Sequence, residues 1–462
     1  MTHTVNQNFP QLRPGLPRPR QTSLGQVAAW GLPAAAVLAA VAHFVPIAAG
    51  AAFAFIFVSV AFWQPRIALM IIFALVPIQQ PLPLHLPVKL SISEFGLAFF
   101  LPIVLLKTAQ MGKAIRLGPT LWPTVIYLAL CLFSTLLYPH WHLLAIKAYA
   151  QMLVYIVIAP MICASFPGDT DDLRFAIEGA VGMAAILALF ALLTHFHYPH
   201  ENKNAWGENF GGAFAMAMEL WLAAKIAKRR TAARWLSAAL LLIGMGLFMC
   251  LSRGGWLEGG VACIFILALR RRFTLMFRAA IILLPLLVIL FLFLPHKKQH
   301  YAFNFNPNAG NLKPRVQLIH YAYQEFEDHP VAGVGVGLRK KVDPTDLFLI
   351  TLAETGLQGL AAFLAIYFVI IRTAWDNHKR LLQVDPRFTL VALGGALVLG
   401  RFVHGMVDEY WTRGSIVWAW CAVGMLAAVK FELDRQAKNR AAITPPPPRP
   451  QTRPAPGQQP AR

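Results

Sequence analysis

Charge is scarce in this chain. Asp, Glu, Lys and Arg make up only 13% of its 462 residues, against about a quarter in soluble domains. An ordinary water-soluble globule is therefore excluded. Acids are the rarer sign, 21 against 41 Lys and Arg, for a formal net charge of +20. Such a surplus can mark a nucleic-acid binder, but much of it falls in short loops between apolar runs, where the positive-inside bias places it. No nucleic-acid partner is expected. The five cysteines (Cys131, Cys163, Cys250, Cys263 and Cys421) all lie within apolar runs, and none has metal-ligand spacing, so neither a disulfide framework nor a zinc site is suggested. Alternating strands of about ten residues are missing, which excludes a membrane β-barrel. Residues 1–24 show no cleavable signal pattern. They are polar, basic and Pro-rich, and are expected to form a disordered cytoplasmic tail.

Apolar residues are abundant, 57% of the chain with a mean hydropathy of +0.55. Runs long enough to cross about 30 Å of hydrocarbon recur along nearly its whole length. The expected fold class is all-α, a polytopic helical membrane protein with about 12–14 transmembrane helices. Expected spans are 27–43, 46–63, 66–80, 93–107, 121–138, 143–164, 175–195, 209–226, 234–251, 256–270, 277–295, 347–371, 388–405 and 415–430. This divides the chain into a tail (1–24), eleven helices (25–295), a loop (296–346), three helices (347–432) and a second disordered, Pro-rich cytoplasmic tail (433–462).

Clusters at Lys107 to Arg116, Lys225 to Arg234, Arg270 to Arg272, Arg372 to Arg387 and beyond Lys430 all fall on one side of this threading. The bias makes that side cytoplasmic and puts both termini there. The 296–346 connection disobeys it. It falls on the periplasmic side yet carries Lys297, Lys298, Lys313, Arg315, Arg339, Lys340 and Lys341, as an anionic substrate at that face would require. Within it, RVQLIHYAYQEFED places Val316, Ile319, Tyr323 and Phe326 at helical spacing, with Pro330 as the stop. An amphipathic helix along the membrane surface is expected. The glycine-spaced turn Gly333, Gly335, Gly337 follows, then Arg339, Lys340 and Lys341. Its simplest use is close approach of backbone to a neighbouring helix or a bulky headgroup.

Three stretches together resemble the O-antigen ligase and polymerase superfamily of integral-membrane glycosyltransferases. They are NKNAWGENFGGAFAMAMEL from Asn202, MCLSRGGWLEGG from Met249, and RVQLIHYAYQEFEDHPVAGVGVG from Arg315 followed by DLFLITLAETGLQGL from Asp346. The resemblance covers about residues 200 to 375. It implies transfer of a glycan from an undecaprenyl-diphosphate carrier to a sugar hydroxyl, either on lipid A core or on another lipid-linked repeat. The diphosphate is already a leaving group, so no metal and no cofactor is implied. The resemblance also implies a histidine eleven residues before Gly356, where this chain has Thr345 and then Asp346.

Guanidinium forks match phosphate oxygens and stay charged at any relevant pH. Arg253 and Arg315 are therefore the candidate clamps for the diphosphate, stabilising the charge that grows on it. Asp346, beside the vacated histidine position, is the candidate base and equally a helix N-cap. Arg339, Lys340, Lys341, His320, Asp408 and Arg413 are the candidate substrate-binding residues. His404 and Glu409 flank the same outer loop as Asp408 and Arg413. Glu354, well inside an apolar run, is read as structural or functional. No metal site is expected. A transporter or flippase for a lipid-linked anion, or a non-catalytic binding partner, remains open on the residues alone, although no internal repeat of the kind transporters show is evident.

Overall fold

The structure, a computed structural model, describes residues 46–78, 91–138, 142–194, 203–292, 296, 313–342, 344–411 and 414–443. The expected 27–43 span, both termini, Lys297, Lys298 and Arg413 lie outside them. By its contacts the chain forms two units, Met1–Ile56 and Phe57–Arg462. Only the first residues of one helix are described in the former.

The described helices are α1 (Pro46–Trp63), α2 (Pro65–Leu75), α3 (Ile92–Gln110), α4 (Leu121–Leu137) and α5 (His142–Leu153). A π turn (Val154–Ile158) joins α5 to α6 (Ala159–Ala164). There follow α7 (Thr170–Leu193), α8 (Lys203–Ile226), α9 (Arg230–Met249), α10 (Arg253–Leu269), α11 (Phe273–Leu292), α12 (Lys313–Asp328), α13 (Leu347–His378), α14 (Pro386–His404) and α15 (Ser415–Ile443). No strand occurs among the described residues. The protein is a polytopic helical membrane protein.

Among the described residues, seven helices, counting α5 and α6 as one, are long and apolar enough to cross a membrane: α3, α5–α6, α7, α9, α13, α14 and α15. The expected spans at 209–226 and 256–270 correspond to α8 and α10, which are not among the seven. Both carry ionisable residues in mid-helix, Glu208 and Glu219 on α8 and Glu258 on α10, all buried. The fold hides these acids between helices, and α10 is short, at 17 residues. The last helix, α15, runs to Ile443, so the chain is still helical past residue 433, where a tail was expected to start.

Small residues set the closest helix crossing. A Cβ on Gly255 would overlap the Gly207 backbone, and one on Gly211 would meet the Gly255 carbonyl at 2.6 Å. Helices in lipid associate through such close backbone contact. Two of the recognisable stretches, NKNAWGENFGG and SRGGWLEGG, are thus the two faces of one α8–α10 crossing. At the end away from the 296–346 connection, Arg270 pairs with Glu219, both fully buried, and donates to the Gln383 carbonyl at 2.6 Å. That pair fastens α8 and α10 to the turn before α14.

The expected surface helix is α12. It buries Ala322 in a small core with Val334, Leu338, Ile350 and Ala353, so it docks on α13 through the glycine turn. Val316, Ile319 and Tyr323 stay exposed.

Candidate functional site

The glycine turn is a splint over a broken helix. Inside α13, Gly356 adopts φ 65° and ψ −169°, a region essentially restricted to glycine. The break releases the carbonyls of Ala353 and Glu354, which accept hydrogen bonds from Val334 and Gly335, both at 2.9 Å. On the other side, Leu357 donates to the Pro330 carbonyl at 2.9 Å. Ser134 of α4 also donates to the Glu354 carbonyl, at 2.5 Å, and Val336 donates to the Thr135 hydroxyl at 3.3 Å. The turn's amides are therefore largely engaged with protein. Its glycines serve backbone approach to a helix, one of the two uses read from the sequence.

Glu354 and Arg339 close this splint. The Arg339 amide donates to Glu354 Oε1 at 2.7 Å, its Nε donates to Oε2 at 2.6 Å, and Nη2 bonds to Oε2 as well. Both side chains are buried. The guanidinium lies 4.9 Å from the centroid of the Trp411 ring, which is stacked in turn against Tyr155 of the π turn. Arg339, nominated as a substrate cation, is thus occupied in holding the loop to α13. Lys340 donates to Gln151 of α5. Lys341 is exposed. His320 is on the exposed side of α12, 3.1 Å from Gln324, and His329 accepts or donates at 2.8 Å to the Tyr138 hydroxyl.

The other nominated residues converge on one turn, His404 to Asp408, just after α14. Arg315 donates to the Val407 carbonyl at 3.0 Å and pairs with Asp408 at 3.6 Å. Asp346 caps α13, accepting from the Leu349 amide at 3.0 Å, and the next amide, Leu347, donates to the Gly405 carbonyl at 2.7 Å. Thr345, in the vacated histidine position, has φ 54°, an uncommon conformation for a β-branched residue. It turns the chain into the cap. Arg253 opens α10 behind the Ser252 cap, whose hydroxyl accepts from Gly255 at 3.3 Å. Its neighbour Gly254 lies directly against the His404 ring. Asp408 is largely buried, which works to raise its carboxyl; the His404 ring and the Arg315 charge outweigh that and hold it below the usual carboxylate range.

Sequence reading missed the layer beneath. Arg401 pairs with Glu208, lies 3.9 Å from Glu258, and donates to the carbonyls of Glu409 and Tyr410 at 2.8 and 2.9 Å. His404 Nδ1 is 2.7 Å from Glu258 Oε2. The available signal was three ionisable residues in the middle or at the end of apolar helices, the usual mark of intramembrane function or pairing. Among the described residues no group of three His, Cys, Asp or Glu is placed to hold a metal ion.

A prediction arises at the cap. Asp346→Ala should cost about 1 kcal/mol, the usual worth of an N-cap, whereas Asp346→Asn keeps the capping oxygen and should unfold at the wild-type temperature. Thermal unfolding in detergent separates the cap from any chemical role of the carboxylate.

No curated protein matches the sequence. Residues 238–364 match the family model described as O-antigen ligase, Wzy_C. That stretch includes the Ser252–Arg253 turn, all of α12, the glycine splint and the broken half of α13. The likeness to the O-antigen ligase family is thus carried by this stretch, 127 of the 462 residues.

Proposed function

We propose that the protein transfers a glycan from an undecaprenyl-diphosphate carrier to a sugar hydroxyl, on lipid A core or on a second lipid-linked repeat. The reaction takes place at the periplasmic face of the bacterial inner membrane, with both termini cytoplasmic. One observation carries this reading: the segments bearing Arg253, Arg315 and Asp346, far apart in sequence, meet at the turn from His404 to Asp408. Arg253 and Arg315 are the diphosphate clamp. Arg315 is engaged on Asp408 at 3.6 Å and is one-third exposed, so a phosphate competes with that carboxylate from the solvent side. Lys341, exposed beside the glycine turn, and Arg413, five residues after Asp408 in sequence, add positive charge. Leaving-group charge is neutralised by guanidinium, without metal. A carboxylate must take the proton of the attacking hydroxyl, and two lie at this turn, Asp346 and Asp408.

Purified protein incubated with carrier-linked repeat units in EDTA tests the reading. A ladder of longer lipid-linked glycans identifies a polymerase, and a shift of added lipid A core identifies a ligase. Arg253→Ala and Arg315→Ala should each lower turnover by about 10²–10³-fold, the usual loss for one preorganised charge-stabilising donor. Full turnover in both variants removes the clamp. No product with either acceptor removes the transfer reaction.

A further inference from the structure

From the clamp residue Arg315 a chain of ionisable groups leads inward through Asp408, and its buried members have no part in holding a diphosphate. It runs Arg315, Asp408, His404, Glu258, Arg401, Glu208, drawn from α12, the turn, α14, α10 and α8. His404 is 1% exposed. Its Nδ1 is 2.7 Å from Glu258 Oε2 and 3.0 Å from Arg401 Nη1. Arg401 is 3.9 Å from that same carboxylate and favours its ionised form. The shorter contact assigns the ring proton to Nδ1, donated to Glu258, since two acceptors would repel at 2.7 Å; the Arg401 Nη1 hydrogens are then left to the Glu208 and Glu258 carboxylates. Nε2 is left as a lone pair, 3.7 Å from Asp408 Oδ2 and without a hydrogen bond. A lone pair thus faces a carboxylate across a gap that one proton would bridge. Asp408, with 14% of its side chain exposed, is the contact between this buried imidazole and the surface.

We propose that Asp408 and His404 together accept the proton that the sugar hydroxyl loses during transfer, with Glu258 as the positioning residue that fixes the imidazole tautomer. The inference rests on the transfer reading above. The hydroxyl oxygen forms the new bond to the anomeric carbon. The bond from that carbon to the phosphate oxygen breaks, and its electron pair leaves with the diphosphate. The hydroxyl proton passes to Asp408 and on to His404 Nε2, giving an imidazolium between two carboxylates. It returns to solvent through Asp408. His404 is joined to the Asp346 cap through the Leu347–Gly405 hydrogen bond, and it thereby supplies an imidazole that the loop itself lacks at Thr345.

The test is the pH dependence of turnover, with donor binding measured beside it. The groups facing the imidazole are Glu258 from α10, Arg401 from its own helix and Asp408 from the turn, with Arg253 one residue from Gly254 at the ring face. His404→Gln should lower kcat by about 10²–10⁴-fold, the usual range for a lost proton acceptor. It should leave the KM for the lipid-linked donor in place and abolish the acid limb of the profile. Glu258→Gln removes the anion that stabilises the imidazolium, so its acid limb should move to lower pH with a smaller loss of kcat. If His404→Gln fails to bind donor, the limb shift in Glu258→Gln decides alone. An unchanged acid limb and kcat in an active protein overturn the proton-accepting pair and leave the transfer reading standing. A wild-type protein that turns over nothing overturns both.

Discussion

Glu354→Gln is expected to destabilise the protein by about 3–5 kcal/mol, the usual penalty for removing one partner of a buried ion pair. Glutamine keeps the shape and loses the charge. Arg339 cannot respond by losing its proton, so its guanidinium would stay charged, 5% exposed, with one face on Trp411 and an Nη1 that already has no hydrogen bond. The effect should spread, because Glu354 lies two residues before the break at Gly356 and its carbonyl accepts from Gly335 and Ser134. Losing the pair therefore loosens the turn, α4 and α12 together. Thermal unfolding in detergent should show a large drop for Glu354→Gln and for Arg339→Gln. The double change Arg339→Met with Glu354→Leu should recover most of it, since replacing both members of a buried pair by apolar residues is often neutral. Equal unfolding temperatures for Glu354→Gln and wild type would contradict the splint.

Gly356→Ala carries the second large effect. A side chain at φ 65°, ψ −169° costs about 1–3 kcal/mol in backbone energy alone. Here the added Cβ would also run into the Val331 carbonyl and the Ala332 amide. Relief requires either straightening α13 or pushing the glycine turn away, and a straightened helix takes back the Ala353 and Glu354 carbonyls that Val334 and Gly335 now use. The variant should unfold several degrees lower and expose the 329–342 segment to protease. By contrast, Gly260→Ala has open space around its Cβ position and should gain slightly from helix propensity. If both variants are cleaved at the wild-type rate, the break in α13 is not what anchors the loop.

Much of the helix layout was legible because hydropathy and positive-inside charge act locally. The 46–63 and 143–164 spans end within a residue of α1 and α5–α6, and the surface helix stops just before Pro330. The glycine spacing pointed correctly to backbone contact but not to its partner, because a helix break at Gly356 leaves no trace in periodicity. The resemblance directed attention to Arg253, Arg315 and Asp346. Nothing in the sequence says that they meet at residues 404–408, since that meeting depends on the α8–α10 crossing and on how α14 seats between them. Arg339 stands beside Lys340 and Lys341 in sequence, which gives no sign that its side chain turns inward to Glu354. Glu208, Glu258 and Arg401 were passed over because each is ordinary by itself, and only three helices brought together give them a common role.

The central claim, that the turn from His404 to Asp408 is where the carrier-linked glycan is handled, can be tested by direct labelling. Val407 is exposed, and only its carbonyl is engaged by Arg315, so a photoreactive residue placed there should leave the network intact. Irradiation with a radiolabelled undecaprenyl-diphosphate-linked repeat should label position 407 strongly, and unlabelled donor should compete the label away. The same residue at Phe368, exposed midway along α13, reports lipid that meets the bundle at random. Labelling at 407 that is specific and exceeds that at 368 is the predicted result. Equal, non-competed labelling at both positions would contradict the account.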